Sequence, residues 1–341
     1  MSNGAFAAHG RRCARLVPVI AAWLVCGIST TGCASSLRLS LLAAATRPPG
    51  DVALYIDVAD AHGRPVLGLQ GSDFRFYEDG EQVTSGSLAD PTLAAQHYTL
   101  LLIEISSSVV MSDQVGAIRT AAQAWLTRVG AHQRVAVYAF DGGKALHEIV
   151  PFQEARPDER RFVDALRRME ARDPSTNLNG AVLSGLAELG RALRSSDVPL
   201  RFGTLVVLTE GSDRANRISQ RQMLDAVDAA PYRIFTLGIG RDLDDSILSR
   251  VGKTGYIRVE DTSAARAAFS ELAELILRAS QRQYLLRYCA NARSGRHELR
   301  VEVDTPQGRG ELHYPLDGTG ITGPCNPASP PPKLQLQPRR R

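Results

Sequence analysis

The chain has 341 residues, 44% of them apolar and 22% charged. That is room for two ordinary domains, or for one α/β domain of about 200 residues with a smaller companion, and the balance excludes a disordered, collagen-like or polytopic membrane protein. The formal charge of +4 is carried largely by Arg11, Arg12 and Arg15, since residues 1–32 hold no acid and the remainder sets 37 basic residues against 36 acidic ones. With 6% aromatic residues and no basic-aromatic stripe, no nucleic-acid partner is expected.

After the arginines, Leu16 to Ile28 is an apolar run. It is short of the ~20 residues that span a bilayer as a helix and suits the core of a signal peptide, assigned to 1–32. The run ends in Ser29-Thr30-Thr31-Gly32-Cys33-Ala34, which resembles the lipobox of bacterial lipoproteins, with Thr30 where that motif usually has leucine. The resemblance implies lipidation of Cys33 and a membrane-anchored protein of the bacterial cell envelope, periplasm-facing or at the surface. The alternative is ordinary cleavage near Ala34. Cys13, Cys26 and Cys33 lie in or beside the leader, which leaves Cys289 and Cys325 as the pair in the folded part. Either they are bridged, as an oxidising compartment allows, or they are two separate thiols; a four-cysteine zinc site is excluded by count.

Residues 33–50, with the Pro/Gly break at 47–50, read as a linker. Between 51 and 92, Val52–Val58 alternates like a strand, residues 61–65 read as a turn, and Phe74–Gly80 as a strand entering an Asp-Gly turn. Such short antiparallel strands need a partner to bury a core. From Tyr98 the character changes. Leu100–Ile103, Arg134–Phe140, Leu205–Leu208 and Ile234–Gly240 are near-continuous apolar runs, alternating with helical periodicity at 115–129, 158–170, 180–194, 219–229, 244–251 and 263–280. Apolar strands alternating with amphipathic helices predict a doubly wound, mostly parallel α/β sheet over 97–280. Alternation of period two returns in 283–316, so the flanks are expected to complete one small antiparallel β-sandwich into which the α/β domain is inserted. Residues 317–341 are Pro-rich and read as a flexible tail.

Ligands of an open α/β sheet bind outside the carboxyl ends of its strands. There the sequence places Glu104-Ile105-Ser106-Ser107-Ser108, a loop at Asp173-Pro174-Ser175-Thr176-Asn177, and Thr209-Glu210-Gly211-Ser212-Asp213. Three oxygen-rich loops at one edge suit a hard divalent cation such as magnesium. Ser106, Ser108 and Thr176 could ligate it, Glu104 and Glu210 would supply charge, and Asp213 could act from an outer shell or cap its loop.

These segments resemble the von Willebrand factor A-type (VWA) domains. Their metal-ion-dependent adhesion site (MIDAS) has D-x-S-x-S after the first strand, a threonine in a later loop and L-T-D-G-x-D after a central strand. Here Glu104 and Glu210 replace the two aspartates. The resemblance covers about 97–280, and Val66–Leu69, Asp73-Phe74 and Tyr77–Gly80 are similar to flanks of secreted bacterial VWFA-related proteins. It implies a non-enzymatic adhesion or assembly module that holds Mg2+ or Mn2+ and binds an acidic side chain of another protein. Each glutamate is longer than aspartate by one methylene, roughly 1.5 Å, so it could displace a bridging water and ligate directly. The competing expectation keeps the fold as a metal-free scaffold in an envelope complex.

Enzyme motifs are weaker. Gly252-Lys253-Thr254 resembles the end of a P-loop but has Ile247 where the first glycine would stand. There is no G-x-S-x-G elbow and no His-Glu-x-x-His. A hydrolase using Ser106 would need a base that the sequence does not identify.

Overall fold

The run Leu100–Ile103 is buried on both sides, with Leu101 and Ile103 facing one helical layer and Leu100 and Leu102 the other. This is why it reads as continuously apolar. In the computed structural model it forms the middle of β6 (Ala95–Glu104), the central strand of a six-stranded sheet. The described residues are 36–91, 94–105, 115–152, 164, 173–198, 200–260, 262–291, 294–323, 325–326, 329, 331–332 and 334–336.

The sheet order is β11-β10-β9-β6-β7-β8, with β7 at Arg134–Phe140, β8 at His147–Val150, β9 at Leu200–Thr209, β10 at Arg233–Ile239 and β11 at Gly255–Val259. All neighbours are parallel except β8, which runs antiparallel to β7. On one face lie α1 (Val115–Gly130) and α5 (Ala265–Gln281), whose Trp125, Leu126, Phe269 and Leu272 share a core with Leu101, Val137 and Val206. On the other lie α2 (Leu178–Arg194), α3 (Gln220–Ala229) and α4 (Asp245–Val251), packed through Val182, Leu189, Met223 and Leu248. The doubly wound α/β expectation is met. The helix expected at 158–170 falls almost wholly outside the described residues. The chain leaves β6 toward β7 and later returns to the opposite side of β6 with β9, so the topological switch point lies between β6 and β9. Their carboxyl ends, Glu104 and Thr209, are where a ligand crevice belongs.

The flanks form two antiparallel sheets. One has the order β15-β1-β2-β12-β5 and the other β14-β13-β3-β4. Here β1 is Arg38–Arg47, β2 Asp51–Ala59, β3 Phe74–Glu78, β4 Glu81–Val83 and β5 Gly86–Ala89. At the other end β12 is Gln283–Cys289, β13 Arg296–Thr305, β14 Gly308–Asp317 and β15 Gln335–Leu336. Leu54, Ile56, Phe74, Phe76, Leu299 and Val301 fill the space between the sheets. Strands from both ends of the chain meet directly, for β12 pairs with β2 and β13 with β3. The opposite face of the five-stranded sheet is covered as well: Ala53, Tyr55 and Leu285 pack with Ala94, Ala95 and Leu200 at the amino-terminal edge of the α/β domain.

Two expectations are corrected. Residues 38–47, read as part of a linker, are strand β1, paired with β2 from Arg38↔Ala59 to Arg47↔Asp51. Of the tail after 317, the described residues as far as Leu336 are anchored instead of free. Cys325 is bonded to Cys289, Arg287 donates to the Ser329 carbonyl at 2.7 Å, Leu334 is buried, and Gln335 and Leu336 pair with β1. Composition misled in both places, because the contacts that order these segments come from strands far away in sequence.

The seam between the two parts contains His97, whose ring stacks on Phe202 at 4.9 Å between centroids. Burial, helped by the charge of Arg233, lowers its pKa to about 3. The unfolded chain takes up this proton below about 6.5 while the folded one does not, so stability falls as the pH drops from 6.5 toward 3. The loss between pH 7 and pH 5 is expected to be at most about 2 kcal/mol, less to the extent that the ring meets solvent. Urea midpoints of wild type and His97→Phe at both pH values check this; a difference between the two proteins that does not change with pH would refute it.

Candidate metal centre

Glu104 ends β6 at 3% exposure. A buried carboxylate must find donors, and it has three: the Thr176 hydroxyl donates to Oε1 at 2.9 Å, and the Thr209 hydroxyl and Glu210 N–H donate to Oε2 at 2.6 and 2.9 Å. Burial raises its pKa, the hydrogen bonds from Thr209, Glu210 and Thr176 pull it down, and the nearby Glu210 charge adds to the rise. The ends of β6 and β9 and the loop before α2 are thus joined at one carboxylate.

The Thr176 loop is built from both sides. Asn177 caps α2, its Oδ1 accepting from Gly180 N–H, and its amide donates to the Gly143 carbonyl at 2.8 Å. Asp141, immediately after β7 and 1% exposed, accepts from Gly143 N–H at 2.8 Å and from Asp173 N–H at 3.2 Å. Its carbonyl accepts from Asn177 N–H, and the Thr176 carbonyl accepts from Ala215 N–H. The packing requires glycine at 142, where a Cβ would lie 2.0 Å from the Ser175 hydroxyl.

Of the sequence-predicted site residues, Glu104, Thr176 and Glu210 come together. Thr176 is 2% exposed and Glu210 half-buried. Asp213 is half-buried on the loop that follows β9. Neither of its carboxylate oxygens reaches water or has a partner in strict hydrogen-bonding geometry. Backbone N–H groups of Asn216 and Leu178 favour its charge, but burial outweighs them and raises its pKa. Ser106 and Ser108 lie outside the described residues. Among the described residues no group of three or more His, Cys, Asp or Glu side chains is placed to hold a metal.

The extra methylene of Glu104 bears on the expectation of direct ligation. In the structure its carboxylate lies behind Thr176, occupied by two hydroxyls and an N–H. A carboxylate that takes the Thr176 proton leaves that oxygen's lone pairs available, the usual task of an outer-shell group. Thr209 stood in the loop motif after the central strand but was given no role, and Asp141 was missed, its only signal being its position at the carboxyl end of a strand. Gly252-Lys253-Thr254 proves structural, Lys253 donating to the Val227 and Ala230 carbonyls and so closing the end of α3.

A doubly wound α/β domain with a carboxylate and two hydroxyls joined at its switch point is the architecture the VWA resemblance implies for residues 97–280. No protein-family model and no curated protein matches the chain. Solved structures do. One is a von Willebrand factor type A protein from Catenulispora acidiphila, at 13% identity over 83% of this chain and 73% of that one, TM-score 0.44. Another is the manganese-loaded TRAP protein of Plasmodium vivax, at 12% identity over 71% and 97%, TM-score 0.42. A third is proximal thread matrix protein 1 from the mussel byssus with a zinc-occupied MIDAS motif, at 14% identity over 54% and 48%, TM-score 0.45. The chain spans about half the length of the byssus protein. These are likenesses only.

Proposed function

We propose that this protein is a non-enzymatic adhesion or assembly module that holds Mg2+ or Mn2+ at the β6–β9 crevice and binds an acidic side chain of another protein there. The observation that carries the reading is the convergence of Glu104, Thr176 and Thr209 on one point at the switch of the sheet. The donor set fits a hard cation: oxygens only, a buried carboxylate behind a threonine hydroxyl, and the Asp213 carboxylate shielded from water with no hydrogen bond of good geometry. Thr176, with Ser106 and Ser108, would hold the ion, while Glu104, Glu210 and Asp213 supply negative charge around it. When bound, the ion would offer an open position to the partner's carboxylate. The chain's own contribution is to fix the Thr176 hydroxyl and to keep the site dry.

A second reading, a metal-free scaffold in an envelope complex, is supported by the hydrogen bonds of Glu104, which by themselves join the ends of β6 and β9 and the Thr176 loop. Thermal unfolding with millimolar magnesium or manganese, and again with chelator, separates the two. At a hundredfold excess over Kd the native state gains about 2.7 kcal/mol, so a rise of several degrees is expected, and Thr176→Ala should abolish it. No rise in wild type would leave the scaffold. The Cys289–Cys325 bond supports an exported protein, and among the described residues no helix is long and apolar enough to cross a membrane. Anchoring through a lipid on Cys33 is part of the proposal; mass spectrometry finding an unmodified mature terminus would end it.

A further inference from the structure

Arg217 lies at the far end of the loop after β9 and reaches back across two others. Its Nε donates to the Gly142 carbonyl at 2.6 Å and its Nη2 to the Asp173 carboxylate at 3.0 Å. Asp173 in turn accepts from the backbone N–H and the hydroxyl of Ser175 at 3.0 and 2.7 Å, one residue before Thr176. From the same loop as Arg217, Ala215 N–H donates to the Thr176 carbonyl at 2.9 Å. The planar fork of a guanidinium holds two acceptors on separate nitrogens in fixed relation, whereas lysine's single nitrogen, though it can bond two carbonyls, imposes no such geometry. The Arg217 and Asp173 side chains remain 38% and 30% exposed, and exposed ion pairs contribute little to stability. The bridge therefore matters for where two loops sit more than for whether the protein folds.

We infer that Arg217 is the positioning residue of the candidate cation site, tying the loop after β7 to the loop that carries Thr176 and so fixing the Thr176 oxygen in place. The inference rests on the cation-binding reading, and it makes a prediction of unusual sign. A positive side chain beside a cation site opposes the ion by Coulomb's law. If charge were its main effect, Arg217→Ala would bind metal more tightly and Arg217→Lys would bind as wild type does. If position is its main effect, both variants bind more weakly, because neither reproduces the rigid two-nitrogen fork that fixes Gly142 relative to Asp173. Loss of an outer-shell partner lowers metal affinity by about 10–100-fold.

The experiment uses the full chain and manganese alone, with two readouts. Calorimetric titration is expected to give a Kd about tenfold weaker for Arg217→Ala and for Arg217→Lys, with thermal midpoints in chelator close to that of wild type. Hydrogen exchange in chelator is expected to quicken at residues 141–143 and 173–177 in Arg217→Ala, and to stay unchanged in the sandwich. Unchanged exchange in those two loops, or tighter manganese binding by Arg217→Ala, overturns the inference. Should wild type bind no manganese while the two loops loosen in the variant, the cation reading falls and the positioning of the Thr176 loop by Arg217 stands.

Discussion

Replacing Cys289 and Cys325 by serine is expected to lower stability by about 4 kcal/mol, the chain-entropy value for a bond that spans about 36 residues. The consequence is larger than the entropy of one loop, because the bond holds a tail that completes the sandwich. Arg287 is buried, with Nη2 donating to both oxygens of Asp51 at 2.9 and 2.8 Å, and its Nη1 has the Ser329 carbonyl as acceptor. If the tail leaves, that acceptor goes with it, Leu334 loses its place against Ala43, Ala53 and Tyr55, and β1 loses its pairing at Ala43 and Ala44. Urea unfolding of the double serine variant beside wild type measures the effect. A midpoint equal to that of wild type would show that the tail is held by its packing alone.

The same tail shows where sequence reading stops. The partly exposed edge strands of the α/β domain, β8 and β11, were not read as strands, but the domain was legible through its four inner strands β6, β7, β9 and β10, which are covered on both faces. Leu100–Ile103 and Leu205–Leu208 advertise that in their own composition, and the helices advertise their buried stripe. Strand β1 carries an alanine run whose order comes from pairing with β2 and β15, and the tail carries prolines whose order comes from Cys289, Arg287 and β1. A local pattern cannot report a distant partner. The candidate site divides along the same line: Glu104, Thr176 and Glu210 were legible as candidates because they follow strands or open a helix in a recognisable spacing. Asp141 and Arg217 were not, and Thr209 had a place but no role, since their contacts depend on which loop each touches, a property of the assembled edge.

Glu104→Ala should be the most damaging single change at that edge. It leaves the Thr176 hydroxyl, the Thr209 hydroxyl and the Glu210 N–H without their acceptor where Thr176 and Thr209 are buried. Each unsatisfied buried group costs about 1–3 kcal/mol, so a loss of roughly 3–5 kcal/mol is expected after the hydroxyls find what alternatives they can. Two conservative variants then separate reach from charge. Glu104→Gln keeps the length but turns one oxygen into an amide donor, so at least one of the three bonds is lost; a cost of about 1–2 kcal/mol follows. The raised pKa of Glu104 works in the same direction, since a carboxyl whose burial disfavours its charge has less to lose by becoming neutral. Glu104→Asp keeps the charge but withdraws it by roughly 1.5 Å, too far to span hydroxyls on two different segments. It is expected to destabilise at least as much as glutamine does. Chemical denaturation of the three variants ranks them. An aspartate variant as stable as wild type, beside a severely impaired glutamine one, would mean that the carboxylate acts through its charge alone and that its length does not tie the Thr176 loop to β9.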